Sequence, residues 1–207
     1  MRVPQVHYFG QLAALNDCLY RAAMTSHLVV FTDLDELIVP RRRDTWAELI
    51  DDVTKQWRQL HRSNGAAASR PFPGAYVVQN TFFRSDWDSD DVMGNDDVVR
   101  GLDLKTLLTT GREERVWPWG VRSKFIVWAR LTRMVGVHRV LQFVDDAAVW
   151  SARVGLEEAL LQHYRLAMWP DDPASPPVRV VDRRMHAFRD ELVARVVERH
   201  RMLEQGP

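Results

Sequence analysis

Residues 28–41 read LVVFTDLDELIVPR. An unbroken β-branched and aromatic run, Leu28–Phe31, passes through Thr32 into Asp33, Asp35 and Glu36. Such a run predicts a strand packed on both faces, as in parallel α/β sheets. Ligands of open α/β sheets gather beyond the carboxyl ends of the strands, which is where these carboxylates stand. Three readings are open for them: a polar turn, a metal site, or a nucleophile. If the segment stays extended, side chains at i and i+2 point the same way, and Asp33 and Asp35 converge on one object. Their oxygens are hard ligands suited to Mg2+ or Mn2+, ions that keep positions open for substrate phosphates.

Outward from this stretch, helical and extended patterns alternate. Before it, Leu12, Leu15, Leu19 and Ala22 recur at helical spacing and predict a helix over 11–25 with one packed face. After it, Thr45 and Glu48 form a Thr-x-x-Glu capping box that opens a second helix. Trp46, Leu49, Ile50, Val53, Trp57 and Leu60 mark its apolar face, and Asn64-Gly65 is its stop signal. GAAASRPFPG (65–74) reads as a connector, and AYVVQNTFF (75–83) as one strand. Further strands are expected at KFIVWA (124–129) and, shorter, at RMVGVH and RVLQFV. The tail from Asp182 to about Leu203 reads as a helix with Met185, Phe188, Leu192 and Val196 on its inner face.

The totals exclude several classes. With 207 residues, 46% apolar and 27% charged, the composition is that of a globular domain, neither disordered nor fibrous. The 28 basic and 28 acidic residues cancel, so binding to nucleic acid by bulk charge is not expected. Cys18 has no second cysteine to pair with, and its amphipathic segment makes a buried, inert thiol the default expectation. No run of 18 apolar residues is present, and MRVPQVHYFG lacks the apolar core of a signal peptide.

Two segments imitate other chemistry. Haloacid dehalogenase-type phosphatases also carry an apolar strand ending in Asp-x-Asp, with a nucleophile and an acid/base. That motif places Thr two residues after the second Asp, where this chain has Leu37, and its later Lys and paired aspartates are not found. Asp86, Asp88, Asp90, Val92 and Asp97 match positions of a calcium-loop spacing, but Asp91 occupies the position that needs Gly. A solvated acidic loop is the plainer reading, with a loop that supplies a catalytic carboxylate beside it. Of seven histidines, His138 in VGVH and His163 in HYR end strand-like runs, and imidazole suits Mn2+ or Zn2+.

Taken in order, NDCLYR (16–21), FTDLDELIVP (31–40), QNTFF (79–83), KFIV (124–127), VGVH (135–138) and HYR (163–165) resemble the motifs of glycosyltransferase family 92. The resemblance implies an α/β fold of the GT-A type, a mixed sheet flanked by helices. It also implies transfer of galactose from a UDP-sugar donor to a glycan or glycoprotein hydroxyl, in the Golgi or another secretory-pathway membrane. Asp33 and Asp35 would then bind the Mn2+ or Mg2+ that bridges the sugar-nucleotide diphosphate. Asn16 and Arg21 of NDCLYR would serve the donor site, and His163 would add a metal or diphosphate contact. Such transfer with inversion also needs a carboxylate base, and Asp86 or Asp88 is the candidate by its place in the loop just past the NTFF strand.

Residues 1–181 are expected to form the GT-A-like domain, with 182–207 a helix packed on it or extending from it. Only 32 residues precede Asp33, and a βαβ unit takes about 30 or more. Part of the N-terminal nucleotide-binding region is therefore expected to lie outside this chain, together with any membrane anchor. An inactive fragment or a binding module is the alternative this leaves.

Overall fold

A computed structural model describes residues 6–63, 73–87, 91–167 and 176–204. In chain order the elements are α1 (Val6–Ala22), β1 (Leu28–Phe31), β2 (Glu36–Pro40), α2 (Trp46–Ser63), β3 (Ala75–Val78), β4 (Asn80–Arg84), and the short helices α3 (Asp91–Gly94), α4 (Asp97–Gly101) and α5 (Lys105–Leu108). They continue with β5 (Gly111–Glu113), β6 (Lys124–Trp128), β7 (Thr132–Val135), β8 (Val140–Phe143), β9 (Ser151–Arg153), β10 (Ala159–Arg165), β11 (Arg179–Val181) and α6 (Arg189–Glu204). The sheets are mixed and flanked by helices, as expected from the sequence. The chain divides into two compact units: residues 1–80 with 117–161, and residues 81–116 with 162–207.

Unit 1 is built on a four-stranded sheet of order β1-β6-β3-β9. Successive residues of its strands enter different cores, as alternation along a pleated strand requires. Phe125 and Val127 join one core with Val29, Phe31, Ala75 and Val77, which α1 covers through Leu19. Ile126 joins the other with Tyr76, Val78 and Ala152, which α2 covers through Leu49, Ile50 and Val53. The unbroken run Leu28–Phe31 thus does report two packed faces. Its direction differs from expectation: β1 is an edge strand antiparallel to β6, with Val29 opposite Val127 and Phe31 opposite Phe125. Apolar continuity reads out burial on both sides and carries no information about strand direction.

The second helix starts as its capping box requires. The Glu48 N–H donates to Thr45 Oγ1 at 3.2 Å and the Thr45 N–H donates to Glu48 Oε2 at 3.2 Å. Asn64-Gly65 and most of the 65–74 connector lie outside the described residues. In α1 the register is less regular than the spacing suggests: Leu19 is fully buried but Leu12 is exposed, and so is Cys18, against expectation. Leu15, Leu19 and Ala22 seat this helix on the sheet, with Ala23 just beyond its end.

AYVVQNTFF is two strands, not one. Gln79 interrupts it: its backbone carbonyl accepts from the Leu161 N–H at 2.9 Å and its Nε2 donates to the Trp117 carbonyl at 3.0 Å. β3 belongs to one sheet and β4 to the next, although nearly every residue of both is buried, so periodicity alone could not mark the break.

In unit 2 the strands follow the order β11-β5-β4-β10. Helices α4 and α5 enclose a small core of Met93, Val99, Leu107 and Leu108, against which Met185, Leu192 and Val193 pack. The tail therefore docks through part of its predicted inner face, after a 3-10 turn over Arg184–Phe188.

Candidate functional site

The DLDE segment is a turn. The Glu36 N–H donates to the Asp33 carbonyl at 3.1 Å, which makes Leu34 and Asp35 the central residues of a reversal between β1 and β2. The extended-strand argument for parallel side chains at 33 and 35 does not hold in this geometry. Both carboxylates nevertheless stand exposed, with a fully exposed Leu34 between them, while Glu36 is buried beneath.

Glu36 holds the turn from inside. Its Oε2 accepts the Asp33 N–H at 3.0 Å and lies 3.4 Å from Lys124 Nζ. Burial pushes its carboxyl up, opposed by the Asp33 N–H and by the Lys124 charge. Lys124 opens β6, its side chain is only 3% exposed, and its Nζ donates to Asp33 Oδ2 at 3.0 Å. One buried ammonium thus bridges a buried and a half-exposed carboxylate.

His138 closes the far side of this cluster. Its Nδ1 lies 3.3 Å from the Ser123 carbonyl, one residue before Lys124. Burial lowers its pKa first, with Lys124 and Arg122 acting in the same sense and Asp33 against them. Asn16 fixes the strand that leads to it: Asn16 Nδ2 donates to the Val135 carbonyl at 2.9 Å, and Oδ1 accepts the Val135 N–H at 2.9 Å. A third bond, from Nδ2 to the Leu12 carbonyl at 2.8 Å, uses the remaining amide proton. Asn16, expected in the donor site, is thereby a backbone clamp. Arg21 is 80% exposed in its side chain and pairs with Asp17 at 2.9 Å on the same helix.

The other expected site residues fall in unit 2. His163 is buried, its ring edge-on to Phe82 with centroids 5.2 Å apart. Asp86 receives both prongs of a buried Arg84, at 2.8 Å to Oδ1 and 2.6 Å to Oδ2. That pairing holds its carboxyl below the usual range and makes it a weaker proton acceptor. Asp88 lies outside the described residues. Further along the same acidic stretch, Asp96 caps α4 and pairs with Arg189, and Asp97 pairs with Arg100.

Sequence reading left Lys124 without a role, although a signal was there. A lysine is the only charge in KFIVW, and a charge heading a buried strand needs a partner.

Asp-x-Asp at a strand end, a buried lysine behind it, and NDCLYR and VGVH tied to one another by Asn16 and Val135 bring four of the ordered motifs into one unit. The family model of glycosyltransferase family 92 matches residues 2–202. The chain belongs to glycosyltransferase family 92. It is a glycosyltransferase domain, and the phosphatase reading of DLDE is set aside. No curated protein matches the chain.

As a family 92 domain it needs a nucleotide-sugar donor and a glycan acceptor. No helix among the described residues is long and apolar enough to cross a membrane. Nor does any group of three or more His, Cys, Asp or Glu among the described residues form a ready metal site. A hard divalent ion takes one or two carboxylates and completes its shell with water and phosphate oxygens, and Asp33 and Asp35 are the exposed carboxylates of the turn that would hold one. Lys124 engages one oxygen of Asp33, Oδ2, and a carboxylate has a second.

Proposed function

We propose that this domain transfers a hexose, galactose first among candidates, from a UDP-sugar to a glycan hydroxyl, using a Mn2+ or Mg2+ ion held by Asp33 and Asp35. The observation that carries the reading is the DLDE turn, with two exposed carboxylates, of which Asp33 is anchored from below by Glu36 and Lys124. A divalent ion there supplies Lewis-acid stabilisation of the negative charge on a diphosphate leaving group. The residues of the chain do the rest. Glu36 sets the shape of the turn, Lys124 fixes the Asp33 rotamer, and His138 with Asn16 supports the wall next to Lys124.

An acceptor hydroxyl must lose its proton, and the segment around 86–88 is the proposed source of the base. Arg84 occupies both Asp86 oxygens, which favours Asp88. Asp88→Asn is then expected to lower kcat by about 10²–10⁴-fold with the donor KM little changed. His163 is proposed as a further diphosphate contact, and work on secretory-pathway glycans as the setting.

The test is transfer from a panel of UDP-hexoses to glycan acceptors with Mn2+, Mg2+ or EDTA. Transfer from UDP-galactose that EDTA abolishes supports the reading. No transfer, together with no UDP binding at millimolar nucleotide, would establish the inactive or binding-module alternative.

A further inference from the structure

WPWGVR (117–122), in unit 1, leads through Ser123 into Lys124 and β6. Its base is fixed: the Trp117 N–H donates to the Asn80 carbonyl at 2.8 Å, and the Trp117 carbonyl accepts from Gln79 Nε2 at 3.0 Å. Its tip is closed by the Val121 N–H on the Pro118 carbonyl at 3.0 Å and by the Gly120 N–H on Ser123 Oγ at 3.1 Å. Gly120 and Arg122 stand at positive φ, 80° and 69°, which among the described residues only Asp103 shares. A residue other than glycine persists in that region where its surroundings over-determine it, and such residues gather at ligand sites.

This turn presents an aromatic ring to solvent. Trp119 is 38% exposed and Val121 47%, and the guanidinium of Arg153, on β9, lies over the Trp119 ring at 5.2 Å from its centroid. A cation over one face holds the indole in one orientation. A single apolar side chain on a surface needs no explanation, but a tryptophan displayed by a strained turn and braced by an arginine does.

We propose that Trp119 is the platform of the acceptor subsite, on which one pyranose ring of the glycan stacks. The inference rests on the reading of the DLDE turn as the donor site. The two are joined through Ser123: it accepts from Gly120, and the next residue, Lys124, holds Asp33 at 3.0 Å. One face of a pyranose displays ring C–H bonds, whose partial positive charge meets the negative face of an indole. Arg153 brings N–H donors to the rim, the groups from which sugar hydroxyls accept. Exposure favours the acceptor over the uracil of the donor. A nucleotide pocket encloses its ligand, whereas a glycan carried on a larger molecule needs a subsite open at the surface. Gly120, at the tip, has nothing within 4 Å of the position a Cβ would take.

The test is saturation-transfer NMR with methyl glycosides of galactose, glucose, N-acetylglucosamine and fucose at millimolar concentration, with and without UDP and Mn2+. UDP binding and the thermal melt are measured on the same samples. Wild type is expected to bind at least one glycoside, with saturation strongest on the C–H protons of one ring face. Trp119→Ala is expected to weaken that binding about tenfold, the loss of one stacked ring, and to keep UDP affinity. Trp119→Phe retains a ring and should stay within about threefold of wild type. In transfer, Trp119→Ala should raise the acceptor KM and not the donor KM.

Glycoside affinity unchanged in Trp119→Ala, or no glycoside bound by wild type in either condition, overturns the inference and leaves the donor reading intact. A loss of UDP affinity in folded Trp119→Ala as large as the loss for the glycoside assigns the ring to the donor base or to the fold, and also overturns it. If Trp119→Ala does not fold, Trp119→Leu decides, since it keeps bulk without a π face: wild-type glycoside affinity in it overturns the proposal. No UDP binding by wild type, with glycoside binding that Trp119→Ala weakens, would sink the donor reading and leave Trp119 as the glycan contact.

Discussion

Among the described residues, each unit contains a buried cation between two carboxylates, and the two clusters behave differently. In unit 1, Lys124 is 3% exposed and meets Asp33, 48% exposed, and Glu36, 2% exposed. In unit 2, Arg84 is also 3% exposed and meets Asp86, 33% exposed, and Glu113, 14% exposed. Burial and composition are nearly matched, so the difference lies in the shape of the cation. The guanidinium grips Asp86 by both oxygens and draws its pKa down, which closes the carboxylate to other chemistry. The ammonium takes one oxygen of Asp33 and leaves an exposed carboxylate with coordination capacity. The first cluster is a structural brace, and the second leaves the carboxylate that the proposed metal reading needs.

The largest effect should come from breaking the brace. Arg84→Ala leaves Glu113 and Asp86 without their cation and is expected to cost about 3–5 kcal/mol of stability, read from the denaturation midpoint. Arg84→Lys keeps the charge and loses the fork, so it should recover only part of that. Asp86→Asn should lower the melting temperature with kcat unchanged, because Asp86 is committed to Arg84. At the other cluster the balance shifts: Asp35→Asn and Asp33→Asn should lower metal-dependent transfer on the order of 10²-fold, and Asp33→Asn should also lower the melt because Lys124 loses an ion-pair partner. Transfer that survives Asp35→Asn would place the ion elsewhere.

A smaller effect tests what supports the prepared cluster. Asn16→Ala removes both partners of the Val135 backbone, and Val135 is fully buried. An expected loss of about 1–3 kcal/mol follows from two peptide groups left unpaired. The same variant should lower kcat only through the displaced His138 segment, so its thermal and kinetic losses should rise together across Asn16→Asp and Asn16→Ala.

Elements whose signals are local were legible in the sequence. The Thr45–Glu48 box, the apolar faces of Leu49, Ile50 and Val53, and the strand at KFIVW are set by neighbours a few residues away. The carboxylates at the end of the apolar run were legible for the same reason, although the turn that carries them was not. What was not legible depends on partners far along the chain. β1 turned out antiparallel because its neighbour is β6, nearly a hundred residues later, and its own residues look the same in either direction. Gln79 ends β3 because Leu161 and Trp117 reach its backbone and side-chain amide. Lys124 and Asp33 are 91 residues apart, so neither side chain announces the other. Asp86 looked available as a base because nothing in RSDWD reveals that Arg84, two residues before it, turns back on it. The haloacid dehalogenase likeness failed on Leu37 and on the missing later Lys and paired aspartates, and the ordered motifs carried more information than any one of them.

The smallest expected effect separates the two clusters by pH. Burial, with Lys124 and Arg122 in the same sense and Asp33 opposing, lowers the His138 pKa below its usual 6.5 in the folded protein. The unfolded chain therefore takes up a proton first as pH falls, and unit 1 loses stability from about 6.5 downward until the lowered folded value is reached. Asp86 has a pKa lowered from 3.8, so the stability from its pairing with Arg84 is complete above that value and is lost as pH falls below it. Between these values the β6 amides of unit 1 should exchange hydrogen faster while the β4 amides of unit 2 hold their protection. His138→Asn should remove the upper step and leave the lower one in place. Loss of protection in β4 along with β6 just below 6.5 would mean that the two units open together, and the contrast between their clusters would then not extend to stability.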